Sequence, residues 1–450
     1  MIKIFFPVLL LVHILILSRM TFTAWPEMLS YPYLFLNGFI FYKDFIMPYP
    51  PLLPLVLSGI YSLFGVTPEV LKITTWVLIL STDVLLFLII RKVLKSGILA
   101  LPFLAIYILL QSFFDGNMLW FDFAIVLPLL ASFYFALKKN LFWAGVFIGL
   151  AVLVKQTAGV YLPGFLLGLV LIRVGKRDLA AFAGGLFITG LFLAAYLVAT
   201  GGFLNFWNWV IVYPLTEWSK FPGYVDFAVP KKYILALILL LSPLSFIVLN
   251  FKILKEKLFL VSLVFLVASL IAVYPRFSFF HLQPAVAFAV IAFAVLSAHL
   301  PKKLKIIQMF LILFSVAFIL KIIYPVNFGE PYRFYGEKER RLSGEISDLG
   351  EQKILLLGVD SSLYVFSKTL PPKNWSDNYG WYLEIPGVQD WVLEGIRTDN
   401  PSKIIWREAV FGPWYKPGVY QPEKIVNYLK THYDKEREIE SGINIWTKRN

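Results

Sequence analysis

Two carboxylates, Glu27 and Asp44, stand in a short polar and aromatic stretch, residues 25–51, which also carries Pro50-Pro51 and lies between helix-length apolar runs. Ionised carboxylates accept protons from hydroxyl groups or bind hard cations. Charged groups beside hydrocarbon are costly, so acids gathered at one edge of a greasy chain point to a function there. Together they suggest an enzyme acting at the outer face of a membrane.

The elements that must position these acids follow from composition. Of the 450 residues, 59% are hydrophobic, 17% aromatic and only 15% charged, and the mean hydropathy is +0.73, far from soluble domains. The fold class expected is an α-helical polytopic membrane protein. The net charge of +13 would suit nucleic acid, but Lys and Arg fall in twos and threes between apolar runs. That is the pattern of cytoplasmic loops, and no nucleic-acid partner is expected. The lack of cysteine excludes structural disulfides, thiolate metal sites and thiol catalysis.

A ruler of about 20 apolar residues predicts about eleven transmembrane helices. They fall near 2–22, 67–90, 97–114, 120–137, 141–154, 157–173, 179–199, 232–250, 258–275, 282–299 and 306–324. The fifth and sixth are short, and Lys155 and Gln156 separate them. Residues 51–64 are too short to cross and are expected to lie along the outer interface, starting where Pro50-Pro51 ends the loop.

Basic clusters at Arg91/Lys92/Lys95, Lys138/Lys139, Arg173/Lys176/Arg177, Lys252/Lys255/Lys257 and Lys302/Lys303/Lys305 occupy every second loop. Those loops are read as cytoplasmic, with the N-terminus inside. The first external loop (23–66), the loops 115–122 and 201–232, the corner 276–281 and the C-terminal region are then outside. Residues 1–24 also admit a cleaved-signal reading, but the apolar run is long enough to span and Arg19 interrupts the approach to the small residues at its end.

A transmembrane domain of residues 1–329 and a small extracytoplasmic α/β domain of residues 330–450 are expected, because charge becomes dense after Tyr324. Strands are predicted at 353–358, 403–406 and 443–447, and helices at 361–368, 388–397 and 421–433. No GxGxxG follows the first strand, so a nucleotide site is not expected.

The run WPEMLSYPYLFLNGFIFYKDFIMPYPPLLPLVLSGIYSLFG resembles the first external loop of GT-C fold glycosyltransferases. There an acid follows the first span, then come a Gly, a Tyr-x-Asp and a Pro-Pro that opens an interfacial helix. The run GNMLWFDFAIVLPLLASFYFALKKNLFWAGVFIGLAVLVKQTAG is similar to the second region of those proteins, an external acid followed by a Gly-rich span ending in Lys. With span count and topology the resemblance covers essentially the whole chain. It is to the dolichyl-phosphate-mannose mannosyltransferase and ArnT-like group, which often carries an Asp-Glu pair where this chain has Pro26-Glu27.

The resemblance implies transfer of a sugar, hexosyl or pentosyl, from a polyprenyl-phosphate-linked donor to a glycan, lipid or protein acceptor at the outer face of the cell membrane, with inversion. A lipid-linked sugar flippase without bond chemistry is the alternative. Glu27 or Asp44 would serve as the base, although Asp44 also suits a turn cap or a pair with Lys43. Asp122 matches the acid of the second region, although a helix N-terminus would stabilise it without catalysis. Lys155, Arg276 and His281 would hold the donor phosphate. The competing reading of Lys155 is a snorkelling lysine, and that of His281 is interfacial packing. Trp207, Trp209 and Trp218 suit either sugar contact or an interface belt. Glu217 and Gln283 would support these groups, Asp115 reads as a turn residue, and His13 and His299 form no metal set. No cofactor is certain; a metal, if used, would sit on the oxygens of Glu27 and Asp122, which favour Mg or Mn.

Overall fold

Among the described residues of the computed structural model, seven helices are long and apolar enough to cross a bilayer: Ile2–Arg19, Pro68–Leu94, Gly97–Gly116, Lys176–Thr200, Lys231–Leu249, Phe279–His299 and Lys302–Ile323. Four shorter apolar helices, Phe121–Leu137, Leu141–Val154, Gln156–Val170 and Lys257–Ile271, fall on the remaining expected spans. Leu52–Phe64, with 13 residues, is the segment expected to be too short to cross. The chain is a multi-pass helical membrane protein with a small C-terminal sheet. The structure describes all residues except 1, 172, 227, 324–326, 413–415, 417 and 450, so the last residue of the eleventh expected span, Tyr324, lies outside them.

Two compact units emerge, each assembled from three stretches of chain. The first comprises Met1–Thr23, Lys72–Phe192 and Asp226–Pro331. Its core is the helix Gln283–His299, in which every residue from 285 to 296 is at most 1% exposed. A helix apolar on all faces must be surrounded, and this one is. Phe265 and Phe133 pack their rings on Phe288 at 4.7 and 5.8 Å.

The Gly-rich span of the sequence packs by close backbone approach. A Cβ on Gly145 would lie 2.1 Å from the Phe182 carbonyl oxygen, and one on Gly185 would lie 2.1 Å from that of Phe142. Small residues four apart are the usual means of bringing membrane helices this near. With the helix before it, this span forms a hairpin, Val126–Leu137 and Leu141–Val154. Its turn has Lys139 at φ 59, and Ser132 Oγ donates across it to the Ala144 carbonyl at 2.8 Å.

Polar groups inside the first unit find one another. His13 Nδ1 lies 2.7 Å from Asp83 Oδ2, and its Nε2 lies 2.9 Å from Gln111 Oε1, all three residues fully buried. His13 and Asp83, on separate apolar spans, are thus each other's partners.

The second unit comprises Ala24–Leu71, Leu193–Val225 and Tyr332–Asn450. In its sheet, Leu355–Leu357 pairs parallel with Lys403–Arg407, which pairs antiparallel with Ile443–Lys448, itself antiparallel to the edge strand Tyr433–Glu440. The three predicted strands and three predicted helices are present, within a few residues of their expected bounds. The edge strand and the helix Glu337–Ser347 were not predicted.

Residues 25–51 belong to the core of this unit. Trp375 N–H donates to the Asp44 carbonyl at 2.9 Å, and Ile46 N–H donates to the Trp375 carbonyl at 3.0 Å. Trp375, 2% exposed, then sets its ring against Tyr31, Phe45 and Tyr364.

Candidate functional site

Among the described residues, one group of buried charges in each unit contains acids or cations expected at the site. In the first, the helix Leu141–Val154 stops at Lys155, whose backbone turns extended (φ −147, ψ 126) before a short 3-10 turn, Gln156–Val160. Asp122 sits in the first turn of the helix that follows Trp120, itself extended at φ −137. His281 lies in the turn Phe279–Leu282, just before Gln283 and Pro284 open the central helix. Lys155 Nζ donates to both Asp122 carboxylate oxygens at 2.7 Å, and His281 Nδ1 lies 2.9 Å from Asp122 Oδ2.

All three side chains are buried, with Asp122 1% exposed, Lys155 5% and His281 7%. Lys155 does not snorkel; it is an enclosed ion pair. Such a pair offsets the desolvation of its members only while both are present. Gln283 supports the same corner, its Nε2 donating to the Gln111 and Phe114 carbonyls at 3.0 and 2.8 Å. These acceptors lie just before and within the helix break Ser112–Gly116, where Asp115 takes φ 51 as a turn residue. Arg276 is bracketed by backbone bonds to Asp226, whose N–H donates to the Pro275 carbonyl and whose carbonyl accepts from Phe277 N–H, both at 3.1 Å. A cavity of about 210 Å³ beside it is lined by Asp115, Asp226, Tyr233, Ser278 and Asn327 among others.

In the second unit Pro26 begins the helix Pro26–Leu36 and Glu27 falls in its first turn, where a carboxylate faces the positive end of the helix. Glu27 is 5% exposed, and Tyr379 O–H donates to its Oε1 at 2.8 Å. Asp377 stands nearby, 4% exposed, accepting from Ser361 Oγ at 3.2 Å and Asn378 N–H at 2.9 Å. Ser361 in turn meets Ser30 Oγ at 3.0 Å. Burial, and then the charge of Glu27, push the Asp377 carboxyl well above the usual carboxylate range. Burial and the same charge push the Tyr379 phenol up. Burial carries Asp360 up to about 6, the Arg407 charge opposing it. Glu27 and Asp377, from separate stretches of the chain, thus stand as two interacting buried carboxyl groups.

Asp44 caps a turn and meets a lysine. Its Oδ2 accepts from Ile40 N–H at 2.9 Å, closing the turn at Tyr42, and from Lys373 Nζ at 3.2 Å; Lys373 takes the place expected of Lys43. Trp209 is buried against Trp391, and Trp218 lies between Tyr224 and Tyr382. Of the three tryptophans only Trp207 is half-exposed. Glu217 pairs with Lys220 at 3.3 Å.

The oxygens suggested for Mg or Mn, on Glu27 and Asp122, belong to different units. Both Asp122 oxygens face an ammonium, a setting that does not fit a divalent cation. Among the described residues no group of three His, Asp or Glu is placed to hold a metal ion. The residues that sequence reading missed are Asp360, Asp377 and Tyr379. The only signal for Asp377 and Tyr379 was the density of polar groups among rings in NWSDNYGWYLE, and Asp360, just after the strand at 353–358, had none.

No family model matches the sequence, and no curated protein matches it. Among solved structures, ArnT from Cupriavidus metallidurans in the apo state superposes with a TM-score of 0.61 at 11% identity, over 99% of this chain and 97% of that one. The same protein bound to undecaprenyl phosphate gives a TM-score of 0.59 at 13% identity, with the same coverage. At such identity the likeness speaks for the fold, and it extends over nearly every residue of both chains: this protein has the ArnT-like GT-C fold.

Proposed function

We propose that the chain is an integral-membrane glycosyltransferase that moves a sugar from a polyprenyl-phosphate donor to a glycan, lipid or protein acceptor, with inversion, at the outer face. The observation that carries this reading is the Lys155–Asp122–His281 cluster, a buried cation at a helix break, neutralised by a carboxylate. Ionisable groups placed in apolar helices are functional by default. The undecaprenyl phosphate bound by the Cupriavidus ArnT supports a polyprenyl carrier here.

In the reaction the acceptor hydroxyl gives its proton to Glu27 while its oxygen bonds to the anomeric carbon. The bond from that carbon to the phosphate oxygen breaks, and its electron pair leaves with the phosphate. Tyr379 fixes one oxygen of the base. Beside it the Asp377 carboxyl is pushed up by burial and by the charge of Glu27. Lys155, with Arg276 and His281, takes up the charge of the leaving phosphate by exchanging a carboxylate partner for a phosphate oxygen. A cytoplasmic N-terminus and an extracytoplasmic C-terminal region belong to the same reading.

Purified protein given a panel of radiolabelled polyprenyl-phosphate sugars tests it. Release of polyprenyl phosphate that is lost in Glu27→Gln supports transfer. A lipid-linked sugar flippase is the second reading, favoured by the helix breaks at Ser112–Gly116 and Lys155. No turnover with any donor, alongside movement of the sugar-lipid across a liposome bilayer, would decide for it.

A further inference from the structure

Phe221, Trp381 and Tyr420 wall a pocket of about 520 Å³ in the second unit, with Glu217, Lys220 and Glu384 also lining it. Its size falls in the ~300–1,000 Å³ range of small-molecule sites, and apolar rings with a few polar groups are their usual chemistry. The rings meet at steep angles, Phe221 to Trp381 at 68° and Phe221 to Tyr420 at 72°. Gly380 permits this closure: a Cβ there would come within 2.5 Å of Phe221 Cζ and 2.9 Å of Tyr420 Cγ. The wall is also continuous with the buried acids. Trp381 stacks on Tyr379 at 4.4 Å and 24°, and Tyr379 donates to Glu27.

We propose that this pocket seats a neutral pyranose ring of the acceptor, with its C–H face on the aromatic wall and its hydroxyls donating to Glu217 and Glu384. Carboxylates are acceptors only, which matches a ring rich in O–H donors. Two acids against one lysine, itself paired with Glu217 at 3.3 Å, disfavour a negatively charged sugar. One ring separates the pocket from Glu27, so a saccharide held there brings its hydroxyls toward the proposed base. The acceptor role rests on the glycosyltransferase reading; binding of the ring does not.

Saturation-transfer NMR with the purified full chain tests the proposal, using methyl β-glucopyranoside and methyl β-glucuronide as probes. The glucoside is expected to receive saturation at its ring C–H protons and to bind better than the glucuronide. Gly380→Ala, which displaces the rings, and Glu384→Gln, which keeps an acceptor for Tyr420 O–H but removes the charge and remains informative if the glycine variant misfolds, are each expected to weaken binding about tenfold. Equal saturation in wild type and Glu384→Gln, or tighter binding of the glucuronide, overturns the proposal. Glucoside binding that both variants lose, without turnover of any lipid-linked donor, keeps the pocket and removes the transferase reading. Donor turnover without glucoside binding does the reverse.

Discussion

Tyr379 donates its phenolic hydrogen to Glu27 across 2.8 Å, joining residues 352 positions apart in the chain. The bond restrains the acid proposed as the base. Glu27→Gln is expected to lower transfer by about 10²–10⁴-fold, the usual worth of a general base. Tyr379→Phe removes a donor that favours the charged carboxylate. It is expected to lower kcat about tenfold with KM nearly unchanged, and to move the acidic limb of the pH–rate profile to higher pH. An unchanged profile would leave Tyr379 a packing role only.

Lys155→Met strands the Asp122 carboxylate in an apolar corner. A loss of about 3–5 kcal/mol is expected, the cost of breaking a buried pair from one side. Adding Asp122→Leu should recover most of the melting temperature while leaving transfer absent. Thermal melting in detergent beside a transfer assay separates the two effects; recovery of both would make the cluster purely structural.

Asp360 makes stability depend on pH. Its carboxyl ionises near 3.8 in the unfolded chain and near 6 in the folded one. The folded state therefore binds the proton more tightly, and stability from this group is full below about 3.8 and is lost as pH rises through about 6. Asp360→Asn removes that dependence. The gain in melting temperature it confers is expected to be larger at pH 7.5 than at pH 5, and an equal gain at both would exclude titration as the cause.

Gly185→Ala sets a methyl group 2.1 Å from the Phe142 carbonyl oxygen. The two helices must separate, at a cost of about 1–3 kcal/mol by analogy with overpacked cores. Gly184→Ala, one residue away and with open space around its Cβ, is the control and should be nearly neutral. Comparable melting of the two variants would refute close approach at Gly185.

What the sequence determined by itself was local. Span positions follow from the length of apolar runs, and the break at Lys155 follows from a polar pair, Lys155 and Gln156, between two short runs. Glu27 was legible for the same reason, as an acid against an apolar edge. The edge strand Tyr433–Glu440 was not, because its charged residues suit an exposed sheet edge and carry no alternation to read. Tertiary structure decided the partnerships: His281 and Lys155 with Asp122, His13 with Asp83, and Asp377 and Tyr379 with Glu27. Hydropathy and periodicity report how one element meets its surroundings. Which distant side chain compensates a buried charge depends on how the elements pack, and that leaves no mark in the neighbouring residues of either partner.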